Sequence, residues 1–296
     1  MKNFILVLLL AFSLPAFADT IKTAGEAEAT AEATLKAIQA KFNKEFPQVQ
    51  ADDFVDGAMN FSGSSKKYNN YWMARFVDDI DQPAEYTTAM ETGKKLWETP
   101  FANGKTFASC FPRGGKGAAL DYPYVDDAGK VVTFENALNK CLETNGEKPL
   151  AYNDMKKMGP LSIVARKLSD GSRIRMVVKT DAEKAAFNRG KKIFYTRYGK
   201  SEQACANCHI QHAGRVARTE ELSPVIGQAA HFPVFRPNKA TGDLSVVSLQ
   251  VRYTGCQRNT LVENPIKPGS ADSNDLEYFH TYISNGMPLS SGVFRK

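Results

Sequence analysis

The sequence predicts a mainly α-helical protein of two related halves behind a helical N-terminal extension, and three observations carry that prediction. Residues 22–46 (KTAGEAEATAEATLKAIQAKFNKEF) are rich in Ala, Glu and Lys and free of proline until Pro47, a composition that favours helix. Thr92-Gly93-Lys94-Lys95-Leu96-Trp97 is echoed by Arg189-Gly190-Lys191-Lys192-Ile193-Phe194. Val131-Val132-Thr133-Phe134 and Val246-Val247-Ser248-Leu249 each stand before a cysteine, Cys141 and Cys256, which follows the first valine by ten residues in both places. Two matches in the same order indicate an internal duplication.

Taken in chain order, MKNFILVLLLAFSLPAFADT opens with one lysine, an apolar run and Ala16-Phe17-Ala18, the pattern of a signal peptide cleaved after Ala18. The run is shorter than the roughly 20 apolar residues of a membrane span, so residues 1–18 are expected to leave and no membrane span is expected. Export makes a periplasmic location the expectation. Residues 19–70 form the helical extension; its apolar positions are small, so peripheral packing is expected. Residues 71–180 form the first half, with a turn-rich patch at 111–123. Leu161-Ser162-Ile163-Val164 and Ile174-Arg175-Met176-Val177-Val178, flanking Asp170-Gly171, read as a β-hairpin. The second half, residues 181–296, opens with a helix over 181–200 and carries another around 276–284. The net charge of +6 shows no clustered basic stripe, so no nucleic-acid partner is expected.

Cys205-Ala206-Asn207-Cys208-His209 fits the attachment pattern of c-type haem: two thiols add to the haem vinyl groups and the following histidine binds the iron. Zinc would want a second ligand pair at close spacing, and a redox pair has no need of the histidine. His212, His231 and His280 lack such spacing and read as surface or packing residues. The duplicated halves are then two cytochrome c-like domains. In the first, Phe107-Ala108-Ser109-Cys110-Phe111 stands where the haem motif stands in the second, with Phe107 in place of a thiol and Phe111 in place of the ligating histidine. One haem c is therefore expected, in residues 181–296 alone. With no porphyrin to hold, Cys110 and Cys141 are expected to form a disulfide.

Iron bound by His209 needs a second axial ligand or an open position, and the chain offers Met287, in Asn285-Gly286-Met287-Pro288, and Cys256, in Arg252-Tyr253-Thr254-Gly255-Cys256. Methionine raises the reduction potential and suits plain electron transfer. Thiolate lowers it. An unpaired thiol in an oxidising compartment is a liability unless it is used, which favours a functional Cys256. Arg252, four residues earlier, could lower its pKa and hold an oxyanion.

CANCH, FPVFR at 232–236, RYTGC at 252–256 and SNGM near the C-terminus together resemble the SoxA family of bacterial thiosulfate-oxidising cytochromes, from about residue 71 to the end and most specifically over 190–296. The resemblance implies two cytochrome c-like domains, Cys256 as distal haem ligand, catalytic residue and persulfide carrier, and Arg252 as the substrate-binding arginine. It implies thiosulfate as substrate, L-cysteine S-thiosulfotransferase activity on a SoxYZ carrier protein, a SoxX cytochrome subunit as partner and an electron-accepting cytochrome downstream. Alternatives of other classes are an electron-transfer cytochrome with His209 and Met287 ligation, and a thiosulfate dehydrogenase that needs no carrier.

Overall fold

The computed structural model describes residues 23–47, 85–217, 220–237 and 244–293; the expected signal peptide and the expected boundary between residues 70 and 71 lie outside the described residues. Helix α1 (Ala31–Glu45) is followed by α2 (Glu85–Glu98), three short 3-10 turns between Phe107 and Asp121, and the hairpin β1 (Tyr124–Val125) and β2 (Val131–Val132). Helices α3 (Phe134–Thr144), α4 (Met158–Lys167) and α5 (Asp181–Tyr195) come next. Beyond the haem motif lie the hairpin β3 (Val216–Ala217) and β4 (Glu220–Glu221), the single turn α6 (Gln228–His231), the hairpin β5 (Val234–Pro237) and β6 (Leu244–Val247), and helices α7 (Leu249–Asn259) and α8 (Ala271–Ile283). All three hairpins are antiparallel, with Val131 opposite Val125 and Val246 opposite Phe235. Among the described residues no helix is long and apolar enough to cross a membrane.

The repeat read from sequence reappears as geometry. Both Val-Val pairs end the second strand of a hairpin, the next residue caps a helix (Thr133 Oγ1 accepts from Asn136 N, Ser248 Oγ from Val251 N), and both helices have 11 residues. Cys141 and Cys256 occupy the same position along them. The two Gly-Lys-Lys segments lie on α2 and α5, which cross α4 and α8 respectively. A Cβ on Gly93 would lie 2.1 Å from the Pro160 carbonyl oxygen, and one on Gly190 would lie 2.0 Å from that of Asp275. Only hydrogen fits at either crossing, so each pair of backbones is in direct contact. Each hairpin then packs on the helix pair of the other half, β2 on α8 and β6 on α2 and α4. Asn274 Nδ2 donates to Val131 O, and a Cβ on Gly159 would lie 2.5 Å from Val246 O.

The structure departs from the sequence expectations in three places. The hairpin expected at 161–178 is absent: Leu161–Val164 lies within α4, buried over nearly its whole length. A short run that is apolar on every side has no period to distinguish strand from helix, and Pro160 sits in the first turn, where its missing N–H costs nothing. Residues 171–176 run instead beside 285–289, with Ile174 N donating to Met287 O and Leu289 N to Ser172 O. The extension is not peripheral, since Ile38 and Phe42 are fully buried against α8 and its neighbours. Its helix begins at Ala31 behind a Thr30 cap rather than at 22, and Tyr195 on α5 donates its hydroxyl to Ala24 O at 2.5 Å. Finally α5 stops at Tyr195, five residues short of its expected end.

A disulfide joins Cys110 to Cys141 across a separation of 31 residues. Closing a loop of that length restricts the unfolded chain by about 3–4 kcal/mol. A Cys110→Ser protein is expected to lose stability by about that amount in denaturant unfolding with its haem content unchanged; an unmoved midpoint removes the disulfide from the stability of this protein.

Candidate functional site

The haem-motif segment begins at the end of a loop, and Asn207–Gln211 forms a single π-type turn, a wide turn often found at functional sites. Asn207 organises it, its Oδ1 accepting from Ala204 N at 2.8 Å and its Nδ2 donating to Gln211 Oε1 at 3.0 Å. Cys205, just before this turn, and Cys208, within it, are both half-buried. Burial pushes the Cys205 thiol up to about 12, aided by Cys256 and Cys208, and burial followed by Cys256 raises Cys208 as well. Both are neutral thiols at neutral pH.

His209 is oriented from behind. Its Nδ1 lies 2.6 Å from Ser223 O and 2.9 Å from Gln228 Nε2, and Gln228 also donates to Ser223 Oγ at 2.8 Å. Donation to the carbonyl leaves Nε2 as the ligating nitrogen, the arrangement by which metal-bound imidazoles are usually fixed. Val225 N donates to His209 O at 2.9 Å, closing the loop over the ring. Sequence reasoning missed Ser223 and Gln228, since neither belongs to a motif.

Helix α7 brings Arg252 and Cys256 to the same place, four residues apart on one face. Cys256 is half-buried, and the His209 side chain is near enough to act on its thiol. Burial pushes its thiol up, but the Arg252 guanidinium, then His209, then Arg236 on β5 outweigh that and bring it down to about 7. One free cysteine is thus held near its ionisation point while the other two stay protonated. Arg236 is a second cation that sequence reasoning did not assign. Met287, the other ligand candidate, is a buried core residue whose carbonyl accepts from Ile174 N.

The donor set fits a haem c: two neighbouring thiols for the vinyl groups, an imidazole held by Nδ1, and a cysteine facing that imidazole. In the first half, Phe107 and Phe111 stack on Trp97 at 5.8 and 5.9 Å between centroids. Phe101, Tyr122 and Phe134 complete a buried aromatic cluster. No imidazole is among its members, and Cys110 beside Phe111 is disulfide-bonded.

Comparison with known proteins gives the family. A family model described as SoxA/TsdA, cytochrome c domain, matches residues 92–174, the half without the haem motif. The L-cysteine S-thiosulfotransferase subunit SoxA of Chlorobaculum tepidum is 38% identical over 270 residues, 91% of this chain and 89% of its own length. That of Allochromatium vinosum is 34% identical over 274 residues, 90% and 91% of the two chains. The crystal structure of SoxXA from P. pantotrophus superposes with a TM-score of 0.63 at 29% identity, covering 74% of this chain and 80% of that one. With a mainly helical cytochrome c-like fold, a haem-binding donor set and relatives aligned over nine-tenths of its length, this chain belongs to the SoxA family.

Proposed function

We propose that the protein is a haem-dependent L-cysteine S-thiosulfotransferase, which joins thiosulfate oxidatively to a cysteine of a SoxYZ carrier protein. The observation that carries this reading is Cys256, a thiol of lowered pKa facing His209 with Arg252 one turn away. The names of the aligned SoxA relatives support it, and a cysteine rather than Met287 at the histidine disfavours the plain electron-transfer cytochrome. A SoxX cytochrome subunit is the expected partner, in line with the SoxXA structure that the fold resembles.

In the finer reading, residues 71–180 and 181–296 are two cytochrome c-like domains descended from one. The first lost its haem, its aromatic cluster and disulfide taking over the interior; in the second, Cys205 and Cys208 would hold a single haem c covalently, and His209 and Cys256 would bind its iron. Residues 1–18 direct the chain to the periplasm, and 19–70 are a helical extension.

In the net reaction, thiosulfate and a carrier thiol give the S-thiosulfonate, one proton and two electrons. A haem held by Cys205, Cys208 and His209 would supply the site that takes up the electrons, for delivery to an electron-accepting cytochrome. Arg252 holds the sulfonate end by paired charge-assisted hydrogen bonds, turning the outer sulfur toward Cys256. Loss of two electrons joins the outer sulfur of thiosulfate to the Cys256 sulfur, as thiolate or persulfide; attack of the carrier thiolate on that outer sulfur then breaks the bond to Cys256, giving the carrier S-thiosulfonate and returning the Cys256 sulfur as anion. The Ser223 carbonyl, by accepting from Nδ1, keeps His209 in the tautomer that binds through Nε2.

Turnover of thiosulfate by the purified complex with and without the carrier tests the reading: carrier-dependent turnover supports it, and tetrathionate formation without carrier sinks it in favour of a dehydrogenase. Arg252→Ala is expected to lower kcat/KM for thiosulfate about 10- to 100-fold, the worth of one charged hydrogen-bonding group. Haem content should not change. An equal loss of haem incorporation would give Arg252 a structural role instead.

A further inference from the structure

Outside the sulfur site, the most unusual chemistry lies where the two halves meet. Arg166 on α4 is buried, and its Nη2 reaches two carboxylates, Glu135 on α3 at 3.1 Å and Glu277 on α8 at 3.3 Å. Ser162 Oγ donates to Glu135 Oε1 at 2.6 Å, and Gln250 Nε2 to Glu277 Oε2 at 2.8 Å. All three charged side chains are less than one-tenth exposed. One guanidinium cannot neutralise two carboxylates, and a net charge in such a place is costly unless a proton removes it. Glu135 holds the better position, with Ser162 and both contacts to Arg166, so the proton falls to Glu277. Burial first, and then the charge of Glu135, push Glu277 up to about 7 against the pull of Arg166. A small cavity with room for about one water lies beside the cluster, lined by Glu135, Arg166, Glu277, Tyr122 and apolar neighbours.

The cluster is wired to the sulfur-bearing helix. Gln250, in the first turn of α7, also accepts from Gly269 N and Ser273 Oγ and donates to Asn274, so every hydrogen-bonding position of its amide is used. Tyr253, one turn further on, hydrogen-bonds His280 Nδ1 at 3.0 Å. Burial, and then Glu277, Cys205, Cys256 and Glu135, push that phenol well up, so both groups of charges act on one ring. The titratable groups facing Glu277 are Glu135 from α3, Arg166 from α4, Tyr122 from the segment before β1 and Tyr253 from α7.

We infer that Glu135, Arg166 and Glu277 form a buried proton-holding site beneath α7, which takes up a proton when an electron enters the haem site and releases it when the electron leaves. This rests on the haem placement proposed above. An electron arriving from thiosulfate oxidation adds negative charge, which favours the neutral cluster over the anionic one. One proton then moves from solvent to the Glu277 carboxylate, and no other bond changes.

Infrared spectroscopy of the haem-loaded complex tests this in two stages. Without any redox change, the wild type should show a protonated-carboxyl band that disappears as the pH rises through about 7. The band should be missing from Glu277→Gln. It should also be missing near neutrality from Glu135→Gln, where Glu277 pairs one-to-one with Arg166 and ionises. On reduction of the haem near pH 7 the band should grow in the wild type and stay unchanged in both variants. The haem potential should correspondingly fall with rising pH in the wild type, by less than the tenfold change in oxidised-to-reduced ratio per pH unit that full coupling to one proton gives, and be flatter in the variants. A wild type without the band near neutrality, a band that persists in Glu277→Gln, or a band indifferent to reduction overturns the inference. Absence of covalent haem absorbance would instead strike the haem placement, since the first stage needs no haem.

Discussion

Cys256→Ala is expected to reduce carrier-dependent thiosulfate transfer about a thousandfold or more, the usual scale for removal of a covalent group in a reacting unit, with haem still attached through Cys205 and Cys208. The two outcomes are expected to separate because the proposed attachment and the proposed reaction use different cysteines: Cys205 and Cys208 at the π-type turn for attachment, and Cys256 on α7 for sulfur transfer. The near-infrared absorption of thiolate ligation should vanish with the substitution. Transfer that survives in Cys256→Ala would make the cysteine a ligand only and return the chemistry to another group. An unchanged near-infrared spectrum would remove it as a ligand. Peptide mapping of the wild type without reductant checks the same residue: an extra, reductant-labile sulfur on Cys256 is the expected modification.

Gly190→Ala is expected to be the most damaging single change to the fold. Its new Cβ would sit 2.0 Å from Asp275 O and 2.9 Å from the Phe279 Cβ, so α5 and α8 would have to move apart. Overpacking of this kind costs about 1–3 kcal/mol where side chains can yield and more where backbone opposes backbone, so a loss of about 3 kcal/mol or more is expected. The same separation would loosen Arg189, whose guanidinium bridges Asp275 (2.7 and 2.9 Å) and Gly129 O (3.2 Å) and so ties α5, α8 and the β1–β2 turn together. Chemical denaturation of the holoprotein measures the loss. Ordinary stability in the Gly190→Ala protein would mean that the helices can slide to another crossing, and would weaken the comparison with Gly93.

The sequence made much of this legible because its signals are local. The spacing of Cys205, Cys208 and His209 needs no partner from elsewhere in the chain, and the two Val-Val segments each specify a strand end, a cap and a helix within a dozen residues. The Gly-Lys-Lys repeat was visible as a pattern, while its meaning, a helix crossing with no room for a side chain, needed Pro160 and Asp275 in place.

Where the sequence was misread, the deciding neighbours were distant. The 161–164 run has the composition of a strand but is enclosed on all sides as part of α4, and enclosure, not alternation, sets its form. Ile38 and Phe42 found a core because α8 offers them a surface, a contact that spans most of the chain. Ser223 and Gln228 become second partners of His209 only once the loop after the haem motif folds back.

By itself, then, the amino-acid sequence carried the spacing of Cys205, Cys208 and His209, the placing of Phe107 and Phe111 about Cys110, and the pair Arg252 and Cys256 on one helical face, because each is written in spacings of four residues or fewer. Tertiary structure alone decided that Cys256 rather than Met287 meets His209, and that Glu135, Arg166 and Glu277 share one buried site. Glu277 lies 142 residues from Glu135 and 111 from Arg166 along the chain (277 − 135 and 277 − 166). No sequence period links such positions; only the packing of α3, α4 and α8 brings their charges within reach, and burial there makes the balance of those charges matter.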